Sequence, residues 1–84
     1  MILVSRDYNI AVDVKMVKLV PDNHRGTVSI MAFAFDGDSG QIMAAYSDRD
    51  RAESAYLGIL EDWQRGVTFH DMQHYETWNM EVEK

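Results

Sequence analysis

The 84-residue sequence contains no cysteine and only one proline, Pro21. Without thiolates the chain can form no disulfide, no iron–sulfur cluster and no cysteine-ligated zinc site, and it has no cysteine nucleophile. A domain of this size buries only about 60–65% of the surface of its unfolded chain, so disulfides, a metal or a partner subunit commonly add to its stability. The sequence therefore predicts one small domain for which a partner chain is a natural source of stability.

Long apolar runs are also missing. No stretch approaches the roughly 20 apolar residues that a membrane-spanning helix needs. The segment Met1 to Ser5 lacks the basic start and the long apolar stretch of a secretory signal. We therefore expect a cytoplasmic protein without membrane association.

Basic residues are few, with 8 Lys and Arg against 14 Asp and Glu, which gives a formal net charge of −6. A protein that binds DNA or RNA needs a surplus of Lys and Arg on one surface. Here the basic residues are scattered, and the close pair Arg49 and Arg51 has Asp48, Asp50 and Glu53 around it. We expect no direct nucleic-acid binding, although the acidity is compatible with imitation of nucleic acid.

Short β-strands are predicted in the first third of the chain. Ile2 to Ser5 is a β-branched run, and the residues from Arg6 to Asn9 are typical of a turn. From Ile10 apolar and polar residues alternate, but the alternation slips by one position at Met16 and Val17. A bulge or bend there explains the slip. The segment Pro21–Gly26 then predicts a loop.

The clearest local pattern is a β-hairpin. Two apolar runs, Thr27 to Phe35 and Gln41 to Tyr46, flank the loop Asp36–Gly40,. Pairing the runs directly across this loop places Phe33 opposite Met43 and sorts the side chains onto two apolar faces. One face then carries Ile30, Ala32, Ala34, Ile42, Ala44 and Tyr46, and the other carries Met31, Phe33, Phe35, Met43 and Ala45.

A helix over residues 48–65 follows the hairpin. Ser47 or Asp48 suits the N-cap, and Gly66 suits the residue after the helix. The apolar residues between them recur with helical spacing and form one stripe: Ala52, Ala55, Tyr56, Ile59, Leu60 and Trp63. The predicted fold is α+β, with about four to five mostly antiparallel strands and one helix. We expect a core in residues 1–66, then an extended segment and tail over 67–84 that is partly disordered.

The helix can cover only one face of the hairpin. Its bulky side chains favour the face with small residues, Ala32, Ala34 and Ala44. The second face then has no partner unless Trp78 and the tail fold over it. An exposed apolar patch of this kind usually marks an interaction site. We therefore predict a homo-oligomer interface or a partner interface at Met31, Phe33, Phe35 and Met43.

Evidence for catalytic chemistry is weak. His70 and His74 have the spacing of a zinc-binding helix, but Asp71 replaces the usual glutamate, and two surface histidines in a tail are the favoured interpretation. The segment Asp36–Gly40 begins like a calcium loop, yet its fifth, sixth and twelfth positions do not fit, so a hairpin loop is preferred. The acidic residues show no spacing that selects a general acid and base. We predict no catalytic residues, no bound metal and no cofactor.

Two segments carry a resemblance to known proteins. The N-terminal Ile2-Leu3-Val4-Ser5-Arg6-Asp7 and the later stretch from Tyr46 to Ala52 resemble a group of short proteins from Gram-positive bacteria and their phages. The resemblance covers residues 1–66. It implies strands followed by one amphipathic helix and a phage or mobile-element setting, and it implies no catalytic residues.

The sequence as a whole favours a non-enzymatic module that binds proteins and self-associates, with a host protein as another partner. One alternative is an acidic inhibitor of a host enzyme that acts on nucleic acid or in defence. Another is a small metal-binding protein or metal-dependent enzyme that uses His70 and His74.

Overall fold

Two three-stranded sheets and one helix make up the part of the chain that the computed structural model describes, residues 1–7 and 9–72. The predicted tail, with His74 and Trp78, lies outside the described residues. The elements follow one another as β1 (Ile2–Val4), β2 (Ala11–Asp13), β3 (Met16–Asp22), β4 (Thr27–Phe33), β5 (Gln41–Tyr46), α1 (Arg49–Gln64) and β6 (Phe69–Asp71). The predicted α+β class is confirmed, with one parallel strand pair among otherwise antiparallel ones.

The first sheet has the strand order β2-β1-β6. β1 is antiparallel to β2 and parallel to β6, and Leu3 is the register partner of both Val12 and His70. All three side chains are buried and form the inner face of this sheet. The turn after β1 is held by Asp7, whose carboxylate accepts hydrogen bonds from the Ser5 hydroxyl at 2.7 Å and from a backbone amide two residues later.

The second sheet, β3-β4-β5, is antiparallel throughout. It contains the predicted hairpin as β4 and β5. The predicted break between β2 and β3 is also confirmed, because the chain leaves the first sheet at Val14 and enters the second at Met16. Val14 and Val17 are both buried although they are three positions apart, which continuous alternation would not allow,.

Pro21 lies in a strand rather than in the predicted loop. It is the register partner of Val28 near the end of β3. β3 is an edge strand, where a residue without a backbone N–H is tolerated,. The connecting turn is correspondingly shorter, and Asp22 shapes it by accepting a hydrogen bond from the His24 amide at 3.0 Å.

α1 begins and ends within one residue of the predicted helix. The Asp48 carboxylate accepts a hydrogen bond from the Asp50 amide at 2.9 Å and caps the first turn,. Gly66 follows the helix with a φ of 81°, a conformation that glycine adopts without strain,. Ala52, Ala55 and Ile59 are buried where α1 packs on the second sheet. No helix among the described residues is long and apolar enough to cross a membrane.

The core extends past the predicted boundary at residue 66. His70 in β6 is 5% exposed and Met72 is fully buried. Both residues are brought into the core because β6 pairs with β1 at the far end of the chain. The segment after α1 is therefore part of the folded domain at least as far as Met72.

Candidate protein-interaction face

One side of the β3-β4-β5 sheet is turned away from α1, and we call it the open face. Along β3 and β4 its members follow from alternation, since every second residue points to the same side. On β5 the register partners of β4 identify them. Phe35, in the loop after β4, lines the same groove as Met16 and Phe33. The open face comprises Met16, Lys18, Val20, Ser29, Met31, Phe33, Phe35, Ile42 and Ala45.

Large apolar side chains are exposed on this face. The exposed fractions are 63% for Phe35, 56% for Ile42 and 43% for Met16. Met31 and Phe33 beside them are half-buried. The Lys18 ammonium lies 5.5 Å from the centroid of the Phe33 ring, so a cation covers part of an otherwise apolar surface,.

The predicted membership of this face is wrong at Met43. The predicted pairing placed Met43 opposite Phe33, but the structure pairs Ile30 with Ala44 and Met31 with Ile42, so Met43 is the extra residue of a β-bulge. A bulge changes the side of the sheet to which the following residues point. Met43 is consequently 2% exposed in the core, and Ile42, predicted to be covered, lies on the open face.

The loop at the tip of the hairpin explains why the pairing differs. β4 ends at Phe33, two residues earlier than predicted, because the Ala34 amide donates a hydrogen bond to the Asp38 carboxylate at 2.8 Å instead of to a strand. The other oxygen of the same carboxylate accepts from the Gly40 amide at 3.0 Å. These two hydrogen bonds, that from Ala34 first, lower the pKa of Asp38,. Ala34 is therefore exposed in the loop and not on the covered face.

Gly40 sets the position of the Phe33 ring. Its φ is 89°, and a Cβ atom built on it would lie 2.5 Å from Cε2 of Phe33 and 3.0 Å from Cε of Met31. Only a residue without a side chain lets the loop backbone approach the ring this closely. The hairpin tip thus holds two members of the open face in place.

Charged residues lie at both ends of the open face. At the hairpin tip a groove of about 420 Å³ runs beside Met16, Phe33 and Phe35, and Lys15 Nζ lies 3.5 Å from Asp36 Oδ1 at its rim. At the opposite end Arg25 Nε lies 3.9 Å from Asp22 Oδ2. The tip also carries Asp38, and Lys18 lies on the face beside it, so three basic and three acidic side chains balance around the open face.

The two edges of this sheet are less suited to contact than its face. Arg6 occupies the β5 edge, where its amide donates to the Met43 carbonyl at 2.8 Å and its guanidinium donates to the Ala45 carbonyl at 3.2 Å. The guanidinium also lies 5.2 Å above the Tyr46 ring. The β3 edge contains Pro21, which cannot donate a hydrogen bond to an added strand,.

Of the two histidines in the alternative metal site, only His70 lies among the described residues. His70 is buried rather than on the surface, and its Nδ1 atom lies 2.6 Å from Oδ2 of Asp62. His74 lies outside the described residues. Within residues 1–7 and 9–72 no group of three or more His, Cys, Asp or Glu side chains is placed to hold a metal ion.

The acidic residues of α1 are interleaved with arginines. Arg49 Nε lies 2.8 Å from Glu53 Oε1, and Arg65 forms an ion pair with Glu61. A helix that imitates a nucleic-acid backbone would present its carboxylates without nearby cations. Two of the carboxylates of α1, those of Glu53 and Glu61, therefore have a cation close by.

The sequence alone does not place three members of the open face there, namely Ile42, Met16 and Lys18. Ile42 carried no local signal, since a bulge is invisible in the alternation of a six-residue strand,. Met16 was detectable in principle, because the phase slip at this position places it on the opposite side from Val17. Lys18 was missed because charge does not reveal a contact with an aromatic ring on the neighbouring strand.

Fold and face together define a small α+β domain in which no described element covers one apolar side of the second sheet. No protein-family model matches this sequence, and comparisons with curated proteins and with solved structures also find no match.

Proposed function

We propose that this chain is a non-enzymatic binding module that associates with a second copy of itself through the open face. The observation that carries the proposal is the exposure of Phe35, Ile42 and Met16 on one side of one sheet. Contiguous apolar surface of this kind costs free energy in water and commonly marks a protein-binding site. The apolar character of the face suits a protein partner better than a charged ligand.

Charge balance favours a second copy as the occupant. Two chains that each carry a net charge of −6 repel one another unless they meet where the local charge is small,. The open face meets this condition, with Lys18 near its centre and an ion pair at each end. Around α1, in contrast, Asp48, Asp50, Glu53, Glu61 and Asp62 outnumber the arginines.

The size of the face sets the expected strength of association. Three strands spaced about 4.8 Å apart and about 20 Å long form a surface of only a few hundred Å². Interfaces of stable complexes bury about 800 Å² per partner. We therefore expect a reversible dimer whose population increases with protein concentration.

The acidic-inhibitor alternative receives less support, because ion pairs with Arg49 and Arg65 offset Glu53 and Glu61, two of the five carboxylates around α1. We also propose a phage or mobile-element setting, and only the resemblance of the two sequence segments supports it.

Sedimentation velocity across a wide range of protein concentration tests the proposal. The wild-type chain should show a concentration-dependent monomer–dimer equilibrium. Ile42→Glu and Phe35→Glu should shift it strongly to monomer, because each places a carboxylate in the contact. Leu57→Glu is the matched control, since Leu57 is 61% exposed but lies on α1 away from the face.

Three results would contradict the proposal. The first is a wild-type chain that stays monomeric over the full concentration range. The second is a dimer that all three substitutions leave unchanged, and the third is a dimer that Leu57→Glu alone disrupts, since in both cases the contact would lie elsewhere. Circular dichroism of each variant separates loss of association from loss of folding.

A further inference from the structure

The open face is not uniform along its strands. Bulky side chains lie at the hairpin-tip end, where Met16 pairs with Phe33 and Phe35 follows. Small side chains lie toward the other end, where Ser29, itself only 9% exposed, is the register partner of both Val20 and the exposed Ala45. A row containing Lys18, Met31 and Ile42 separates the two ends.

Two sheets that stack face to face lie about 10 Å apart. If two copies stack with their strands parallel, the Phe33 ends meet each other and the Ser29 ends face each other across a gap. If the strands are antiparallel, the bulky end of each copy lies over the small end of the other, and the space between the sheets is filled evenly. Interiors pack at high density, so the second arrangement is preferred.

The charged rims fit the same arrangement. A two-fold axis that lies between the sheets, perpendicular to the strands, places β3 of one copy over β3 of the other with reversed direction. Lys15, just before β3, then lies near Asp22 at the end of β3 in the second copy, and Asp36 lies near Arg25. The side chain of Lys15 is 62% exposed and that of Arg25 is 83% exposed, so the ion pairs within each copy can exchange for ion pairs between copies.

We infer that two copies stack open face to open face with antiparallel β3-β4-β5 strands, the Phe33 end of each over the Ser29 end of the other. This inference rests on the proposed self-association and adds its geometry. It assigns Met16 of one copy a position next to Val20 of the second copy. The two Lys18 side chains lie near the two-fold axis, and their like-charged ammonium groups are kept apart because each lies toward the Phe33 ring of its own copy, 5.5 Å from the ring centroid, on opposite sides of the axis,.

Cross-linking tests this geometry cleanly, because the chain has no cysteine of its own. Met16→Cys and Val20→Cys variants are prepared separately, mixed, and treated with a short bismaleimide, which bridges a gap too wide for a disulfide. Mass spectrometry then measures the cross-linked products. The mixture should yield several-fold more mixed dimer than either variant alone yields homodimer. A mixture of Met16→Cys with Leu57→Cys measures random collisions.

Sedimentation of each variant before cross-linking shows whether it still associates. If Met16→Cys does not, Lys15→Cys and Asp22→Cys repeat the test at charged positions near the two ends of β3. Mixed product no greater than the collision control, from variants that dimerise, overturns the antiparallel arrangement and leaves self-association standing. A wild-type chain that is monomeric at all concentrations overturns the proposed function, and this geometry with it.

Discussion

The Nδ1 atom of His70 lies 2.6 Å from Oδ2 of Asp62, and this pair joins β6 to the last turn of α1. The His70 side chain is 5% exposed, whereas that of Asp62 is 32% exposed. The chain between them also turns back on the helix, because the Val67 amide donates to the Asp62 carbonyl at 3.0 Å. A buried imidazole needs hydrogen-bond partners, and α1 supplies one from a residue that water still reaches.

Replacement of Asp62 by alanine should lower the free energy of unfolding by about 1–3 kcal/mol, because a buried polar ring loses a partner. Glu61→Ala is the control, since it removes only an exposed ion pair with Arg65 in the same helical turn and should cost less than about 1 kcal/mol,. Urea unfolding followed by circular dichroism measures both values. Equal losses in the two variants would contradict a structural role for the His70–Asp62 pair.

The bulge in β5 predicts opposite behaviour for two adjacent residues. Met43→Ala should cost about 2–5 kcal/mol, because it leaves a cavity in the core. Ile42→Ala should cost about 1 kcal/mol or less, since Ile42 is 56% exposed and contributes chiefly strand propensity,. Thermal and urea unfolding give the comparison. A larger loss for Ile42→Ala would instead support the pairing without a bulge.

The hairpin tip predicts a difference between two glycines. Gly37 and Gly40 both have positive φ values, of 85° and 89°, so alanine at either position brings a similar backbone strain of roughly 1–2 kcal/mol,. Only at Gly40 would the new methyl group also meet the Phe33 ring. Gly40→Ala should therefore be clearly less stable than Gly37→Ala in urea unfolding, and it should weaken self-association. Indistinguishable stabilities would show that the ring moves aside freely.

Stability should also depend on pH through two turn carboxylates. The Ser5 hydroxyl first, and then the Asn9 amide, lower the pKa of Asp7 from 3.8, and the Ala34 and Gly40 amides lower that of Asp38. A carboxyl whose pKa is lower in the folded state stabilises the fold above its unfolded pKa, and this contribution is lost as the pH falls through the folded value.

The free energy of unfolding should accordingly decrease as the pH falls below about 4, the ordinary range for aspartate. Asp38→Asn should show a shallower decrease over this interval than the wild-type chain. Asp36→Asn is the control in the same loop, because its exposed carboxylate faces Lys15 instead of loop amides. Urea unfolding at a series of pH values measures the slopes, and identical slopes for wild type and Asp38→Asn would refute the expectation.

Of the residues in the predicted interaction face, Met31, Phe33 and Phe35 lie together on the open face, and the placement of the first two depends on alternation within one strand,. Met31 and Phe33 share a strand, so their side of the sheet follows from their spacing, and Phe35 remains beside them although it lies in the loop. Met43 is on the other strand, and its side depends on how the hairpin tip closes. The Asp38 carboxylate and the bulge decide that closure, and neither leaves a pattern in the neighbouring residues.

Local patterns alone determined the α+β class, the span of α1 and the break between β2 and β3, since caps, apolar periodicity and turn residues act over a few positions. Tertiary structure alone decided three other features. β6 pairs in parallel with β1, His70 is buried, and Pro21 lies in an edge strand. Each depends on contacts between residues far apart in the chain, whose free energy appears only when the sheets and the helix pack together.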